Sequence, residues 1–279
     1  MSRTSRTHRR LFLVPALLIA WTVAGTAVAS ASPPRELAAS DRSTPKSTAI
    51  GYDISYPQCG SQFPRNPSFG IVGVNRGIVF SANPCLGSGN GPSQLAWAGL
   101  HAQLYANTGN PGPQLSSHWP TGQVSPRPCQ ASNPDTADCA YDYGWNAAAD
   151  SYATAVGAYV SLGWAQPGAT RTPVRNAWWL DVETANSWRD DAALNVAALQ
   201  GAVDYLRSVD AASIGFYSAP TMWTTITGNS FTFSTLHSWV AGASTLQGAK
   251  TRCAGNGFTG GGVELSQYLA KGFDADYPC

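Results

Sequence analysis

The chain has 279 residues, 43% hydrophobic and 12% charged, with 17 basic residues against 16 acidic. That balance suits a compact globular protein and excludes a strongly basic one, so neither nucleic acid nor an anionic membrane surface is expected as a partner. Six cysteines, an even number with no CxxC spacing, fit disulfides made outside the reducing cytosol better than a zinc site.

The chain opens with four arginines, then an apolar stretch at 11–24, then the small-residue series Ala27-Val28-Ala29-Ser30-Ala31. The stretch is shorter than the roughly 20 residues of a membrane-spanning helix, and the three parts together describe an export signal cleaved after Ala29 or Ala31. Arg9-Arg10-Leu11-Phe12-Leu13 leaves the twin-arginine route open beside the general secretory one. Removing residues 1–31 takes four arginines and no acid, which moves the net charge from +1 to −3. A secreted, extracellular protein follows. Residues 32–48 are polar and proline-bearing without a period, and read as a mobile leader. A single domain is expected over 49–279, and a monomer.

Short β-rich runs then recur: AIGYDIS (49–55), FGIVGVNRG (69–77), HAQLYAN (101–107), NAWWLDVE (176–183), SIGFYSA (213–219), HSWVAGAS (237–244) and GVELSQY (262–268). Each is bounded by Gly, Pro or Asn. Between them, residues 191–208 place Ala192, Val196, Leu199, Val203 and Leu206 at steps of 4, 3, 4 and 3, which predicts an amphipathic helix capped by Asp190 or Asp191. A second, alanine-rich helix is predicted over 146–163. Alternating strand and helix points to a parallel sheet, and with no GxGxxG turn after the first strand the expected α/β fold is a modified TIM-like β/α barrel. Residues 108–140, rich in Gly, Pro, Ser and Cys, form a long insertion of the kind that binds ligands. Sequence proximity pairs Cys59 with Cys85, Cys129 with Cys139, and Cys253 with Cys279.

The fourth strand runs into WWLDVETANSW, with Asp181 and Glu183 two apart in an apolar run. Side chains alternate along a strand, so both acids share one face, with Cα atoms roughly 6.5–7 Å apart, while Leu180 and Val182 share the other. Acids at the C-terminal end of a barrel strand read as catalytic. The competing reading is a surface pair matched by Arg171, Arg175 or Arg189. Asp53 in GYDIS is another acid in an apolar setting, and LSQYLAKGFDADYPC places Asp274 and Asp276 after the seventh strand. Of the aromatics near strand ends or in the insertion (Tyr56, Tyr105, Trp119, Tyr217, Trp223 and Tyr268), Tyr105 and Tyr217 are the better candidates for contact with a ligand, and Trp178 and Trp179 are assigned to packing.

Taken together, Gly-x-Asp-x-Ser at the start, the FGIVGVNRG strand, the central Asp-x-Glu, and Gln-Tyr followed by Asp-x-Asp resemble the glycoside hydrolase family 25 lysozymes. The resemblance covers about residues 49–279 and implies an N-acetylmuramidase on a modified β/α barrel, needing no cofactor and taking a wall polysaccharide such as peptidoglycan. It implies that Asp53, Asp181, Glu183 and Asp274 are the catalytic acids, with Glu183 the proton donor and Asp181 or Asp53 the ionised partner. Gln267 and Tyr268, which match part of the family's Trp-Gln-Tyr, join Tyr105 and Tyr217 as expected substrate contacts. Glycoside cleavage needs one protonated and one ionised carboxyl, and clustered acids supply that asymmetry because they cannot all ionise.

Three features depart from the family: no histidine in LYANTGNPG, Ser266 in place of the tryptophan of Trp-Gln-Tyr, and the cysteine-bearing insertion. They fall on substrate contacts more than on the acids. No GxSxG elbow supports a serine hydrolase, and His101, His118 and His237 read as ordinary polar residues. The alternative from another class is a non-catalytic, secreted carbohydrate-binding module on the same barrel.

Overall fold

A computed structural model of the chain describes residues 49–99, 102–164 and 172–279. The export signal, the leader, His101 and Arg171 lie outside the described residues. Eight strands, β1 (Gly51–Ile54), β2 (Gly70–Gly73), β3 (Gln103–Asn107), β4 (Ala177–Asp181), β5 (Ser213–Ser218), β6 (His237–Ala243), β7 (Val263–Ala270) and β8 (Phe273–Pro278), close into a barrel in chain order. Neighbours from β1 to β7 run parallel. The chain therefore has the TIM-like β/α barrel expected of it, with one departure: β8 is antiparallel to both β7 and β1.

That last strand, absent from the runs recognised in the sequence, holds Asp274 and Asp276. Lys271 and Gly272 both take positive φ, 53° and 82°, and join Ala270 to its partner Phe273. Two consecutive positive φ values make the tight turn that suits the twist of a two-stranded hairpin, and glycine meets that demand without strain. The chain doubles back on β7 and fills the gap beside β1.

Among the described residues, five α-helices lie between the strands: α1 (Gln94–Ala98), α2 (Ala137–Ser161), α3 (Ala192–Ser208), α4 (Pro220–Thr227) and α5 (Leu246–Arg252). Ser93, Thr136, Asp191 and Thr245 cap four of them by accepting a backbone N–H in the first turn. Of the two aspartates proposed for α3, Asp191 does the capping. Helix α2 starts nine residues before the predicted 146. Its first turns bury Cys139, Ala140, Tyr141, Asp142, Tyr143 and Gly144 in succession, so no one-sided period marks them.

The strands bury both faces. Ile71, Trp179, Trp239 and Leu265 fill the barrel interior, while Leu104, Trp178, Leu180, Val182 and Phe216 pack outward among the helices. Adjacent Trp178 and Trp179 thus point opposite ways and are 0% and 2% exposed, each burial worth about 1.5–3 kcal/mol or more. The insertion has its own small core, Trp119, Cys129, Cys139 and Tyr143. The three disulfides pair Cys59 with Cys85, Cys129 with Cys139 and Cys253 with Cys279, as proximity suggested. No helix among the described residues is long and apolar enough to cross a membrane.

Helices α2 and α3 cross so closely that a Cβ on Gly144 would strike the carbonyl of Ala198, and one on Gly201 the carbonyl of Tyr141. Helix propensity alone would make Gly201→Ala stabilising by about 1 kcal/mol. Overpacking against backbone reverses the sign: Gly144→Ala and Gly201→Ala should each destabilise the fold by a net 1–3 kcal/mol, roughly. Urea unfolding monitored by tryptophan fluorescence measures this, and a raised midpoint in either variant would contradict the tight crossing.

Candidate active site

In the barrel register, Tyr105 lies beside Trp179, and Asn107 beside Asp181, which lies in turn beside Tyr217. With Trp179 inside the barrel, alternation puts Asp181 inside too, at the C-terminal end of β4. Asp181 is 3% exposed; its Oδ2 accepts the Asn107 amide at 2.6 Å, and its Oδ1 has no partner. Glu183 follows just past the strand, half-buried.

The loop carrying Glu183 is held on several sides. The Val182 amide donates to the Tyr217 carbonyl at 2.9 Å and Ser218 Oγ donates to the Val182 carbonyl at 2.7 Å. The Glu183 carbonyl accepts from Trp188 Nε1 at 2.8 Å and from the Asn186 amide at 3.1 Å. Further along, buried Asn195 of α3 accepts from Asn110 and the Arg189 amide, and donates to the carbonyls of Arg189 and Ile226. One side chain thereby ties the insertion, the loop after β4 and the end of α4 together.

Across the barrel, Asp53 of β1 stands directly opposite Asp274 of β8, and residues directly opposite in an antiparallel pair share a face. Gln267 Nε2 donates to Asp53 Oδ2 at 3.0 Å, while its Oε1 accepts from the Tyr217 hydroxyl at 2.8 Å. Asp276, opposite both Gly51 and Gln267, is fully buried, and its Oδ1 accepts from Trp239 Nε1 at 2.8 Å. The rings of Tyr105 and Tyr217 pack edge-on to Trp239 inside the barrel.

Among the described residues no arginine or lysine pairs with these acids. Among the described residues the ion pairs are Arg127–Asp138, Arg189–Asp135 and Arg207–Asp204. The reading of Asp181 and Glu183 as a surface pair matched by arginine finds no support among the described residues: Asp181 is buried, and Arg189 is clamped on Asp135 by two bonds of 2.6 and 2.7 Å. Burial raises every member of the cluster. It pushes Asp53 up to about 8, with help from the charge of Asp274 and against the hydrogen bonds from Gln267 and Asp276. Asp181 goes well above the usual carboxylate range through burial, then the charges of Glu183 and Asp53. Glu183 rises by burial and the charge of Asp274, and exposed Asp274 rises by desolvation. Asp276 rises well above its usual value by burial, then by the charge of Asp53. A proton kept on Asp276 serves Asp53 as a hydrogen-bond donor. Like charges in a dry barrel cannot all form, so at neutral pH the five carboxyls hold protons between them.

Asp53, Asp181, Glu183, Asp274, Gln267, Tyr105 and Tyr217 gather at or inside this end of the barrel. Tyr268 does not. It packs outside the barrel with Ala243, Ala249 and Ala275, because its neighbour Gln267 points inward and alternation sends Tyr268 the other way. The sequence reading passed over Asn107, Trp239 and the buried role of Asp276; the period of two, applied to β3, β6 and β8 once the register is known, finds them. Among the described residues no group of three or more His, Cys, Asp or Glu is arranged to hold a metal ion.

No family model and no curated protein matches the sequence. Solved structures do match. The chain is similar to muramidases and lysozymes. A muramidase from Acremonium alcalophilum is 18% identical over 82% of this chain and 93% of its own, with a TM-score of 0.47. A glycosyl hydrolase 25 of Streptococcus pneumoniae is 16% identical over 82% of this chain and 86% of its own, with a TM-score of 0.46. The lysozyme from Streptomyces coelicolor is 15% identical over 84% and 93%, with a TM-score of 0.42. The family resembled in the sequence is thus among the structural neighbours.

The raised acids have a consequence for stability. A carboxyl whose folded pKa lies above its unfolded value favours folding fully below about pH 4 and loses that contribution as pH rises through the folded pKa. The wild type should therefore lose stability as pH rises above about 4, with Asp53 contributing to the loss up to about pH 8. Asp53→Asn and Asp276→Asn should flatten that loss and gain on the wild type at pH 8, relative to pH 4, by at least the roughly 2–4 °C that 1 kcal/mol is worth in a domain of this size. Parallel melts at the two pH values test this, and equal slopes for wild type and variants would contradict the raised pKa values.

Proposed function

We propose that the chain is a secreted glycoside hydrolase that cleaves glycosidic bonds of a cell-wall polysaccharide such as peptidoglycan, with residues 1–31 its export signal, 32–48 a leader and 49–279 the catalytic domain. The observation that carries this reading is the uncompensated group of acids at the C-terminal end of the barrel strands, with Glu183 half-buried beyond β4 and Asp274 at a more exposed position on β8. The sequence resemblance to family 25 lysozymes and the three disulfides, which suit an oxidising compartment, support it.

In this mechanism Glu183 donates its proton to the leaving oxygen of the scissile bond. Burial and the negative charge of Asp274 keep that proton on Glu183 at a pH where an open glutamate would have lost it. Asp274, beside Asp53 across β1 and β8, carries the anionic role and stabilises the positive charge that develops on the sugar ring, while Asp53, raised to about 8, keeps its proton at neutral pH. Asp181, beneath Glu183 on the same face of the chain, is buried too deeply to reach a sugar, and burial together with the charge of Glu183 keeps it protonated. Asn107 holds Asp181 in place, and Gln267 holds Asp53 and Tyr217.

Reducing-end release from purified peptidoglycan, wild type beside Glu183→Gln, tests the reading. Loss of about 10²–10⁴ in rate in the variant is expected. Release from no wall glycan by either protein would favour the non-catalytic carbohydrate-binding module.

The pH profile adds a second test. Activity needs Glu183 protonated, so the alkaline limb follows its raised pKa; Asp274→Asn removes a charge that raises it and should move that limb to lower pH. A limb that stays in place would separate Asp274 from the acid.

A further inference from the structure

Beside the acids lies an open cavity of about 220 Å³ that the mechanism above does not use. Its walls come from the loops that follow β2, β3 and β4, three consecutive parallel strands, so it opens at the same end of the barrel as Asp181. Asn186 and Ser187, on its wall, come from the loop that carries Glu183, and the Asn186 amide donates to the Glu183 carbonyl. Another part of the wall, Leu115 to His118, belongs to the insertion, which Cys129–Cys139 and the Arg189–Asp135 pair fix against the barrel.

The lining is specific in its chemistry. Phe80 and His118 stack with ring centroids 4.2 Å apart and planes 6° from parallel. Phe80 holds φ at 56°, a left-handed conformation that a bulky residue rarely takes. Leu115, 78% exposed, forms an apolar lip. Thr108, Ser187 and Asn186 add hydroxyls and an amide, and Asn186 Nδ2 has no partner among the described residues. No aspartate, glutamate, lysine or arginine lines the cavity.

The geometry points to a subsite, built by the insertion, for one uncharged hexopyranose ring of the glycan next to the bond that Glu183 attacks. Apolar flat walls meet the C–H face of such a ring, and the hydroxyl and amide groups meet its hydroxyl or acetamido substituents. The carboxylates of a wall peptide would need a cation, and Arg189, the nearest arginine in sequence to Ser187, is spent on Asp135. This inference rests on the glycosidase reading and names which part of the polymer the enzyme grips.

Binding is measured by calorimetry on the full chain carrying Glu183→Gln, so that the ligand is not cleaved. The probes are the peptide-free tetramer of β-1,4-linked N-acetylglucosamine and a muramyl dipeptide. In that background His118→Ala and Leu115→Ala, both at exposed positions, should each weaken tetramer binding about threefold to tenfold. Val160→Ala, exposed on α2 away from the cavity, should not. Tetramer affinity unchanged by both substitutions, or no tetramer binding, overturns the subsite, and a preference for the charged dipeptide overturns its neutral occupant. Reducing-end release by the wild type is scored separately: release with no effect of the two substitutions sinks this inference alone. A binding loss without release keeps the sugar site and removes the glycosidase.

Discussion

The pairing of β8 with β1 is the constraint on which the rest of the structure depends. Seven parallel strands would leave a gap, and the hairpin turn at Lys271 and Gly272 sends the chain back through it. In closing the ring, that strand sets Asp274 against Asp53 and brings Asp276 opposite Gly51 and Gln267. With no arginine or lysine paired to them among the described residues, the acids must share protons. Closure and acidity are thus two results of one strand's direction.

Around that core the chain divides its labour. Trp179 and Trp239 dry the interior and, with Tyr105 and Tyr217, lower the local polarity in which the carboxyls sit. Trp239 also supplies an N–H to Asp276, so one ring both excludes water and satisfies a buried oxygen. The outer layer positions the loops. Glycines at the crossing of α2 and α3 bring the helices close enough for Asn195 to reach the insertion and the loops that follow β4 and α4.

How much of this was legible in the sequence depended on the range of each signal. Asp181 beside Trp179 was readable because a strand's period of two is local, and the disulfides because each closes a short loop. Helix α2 lost its first turns because residues buried all round carry no period. Strand β8 was missed because two aspartates and a proline argue against a strand, and its only positive mark is the two-residue turn before it. Tyr268 was placed in the site beside Gln267, although adjacent strand residues must face apart. The cavity at Phe80 and His118 draws on three loops and is invisible before they meet.

The hydrogen bond from Gln267 to Asp53 joins residues 214 positions apart. Contacts of such separation form late in folding, because the long loop between them must close first. Until then each of these carboxyls is an ordinary solvated acid, ionised at neutral pH and unable to donate a proton. An unfolded chain carries all the residues of the cluster and none of their raised pKa values. The raised acid pKa values thus belong to the closed ring and to none of its residues alone.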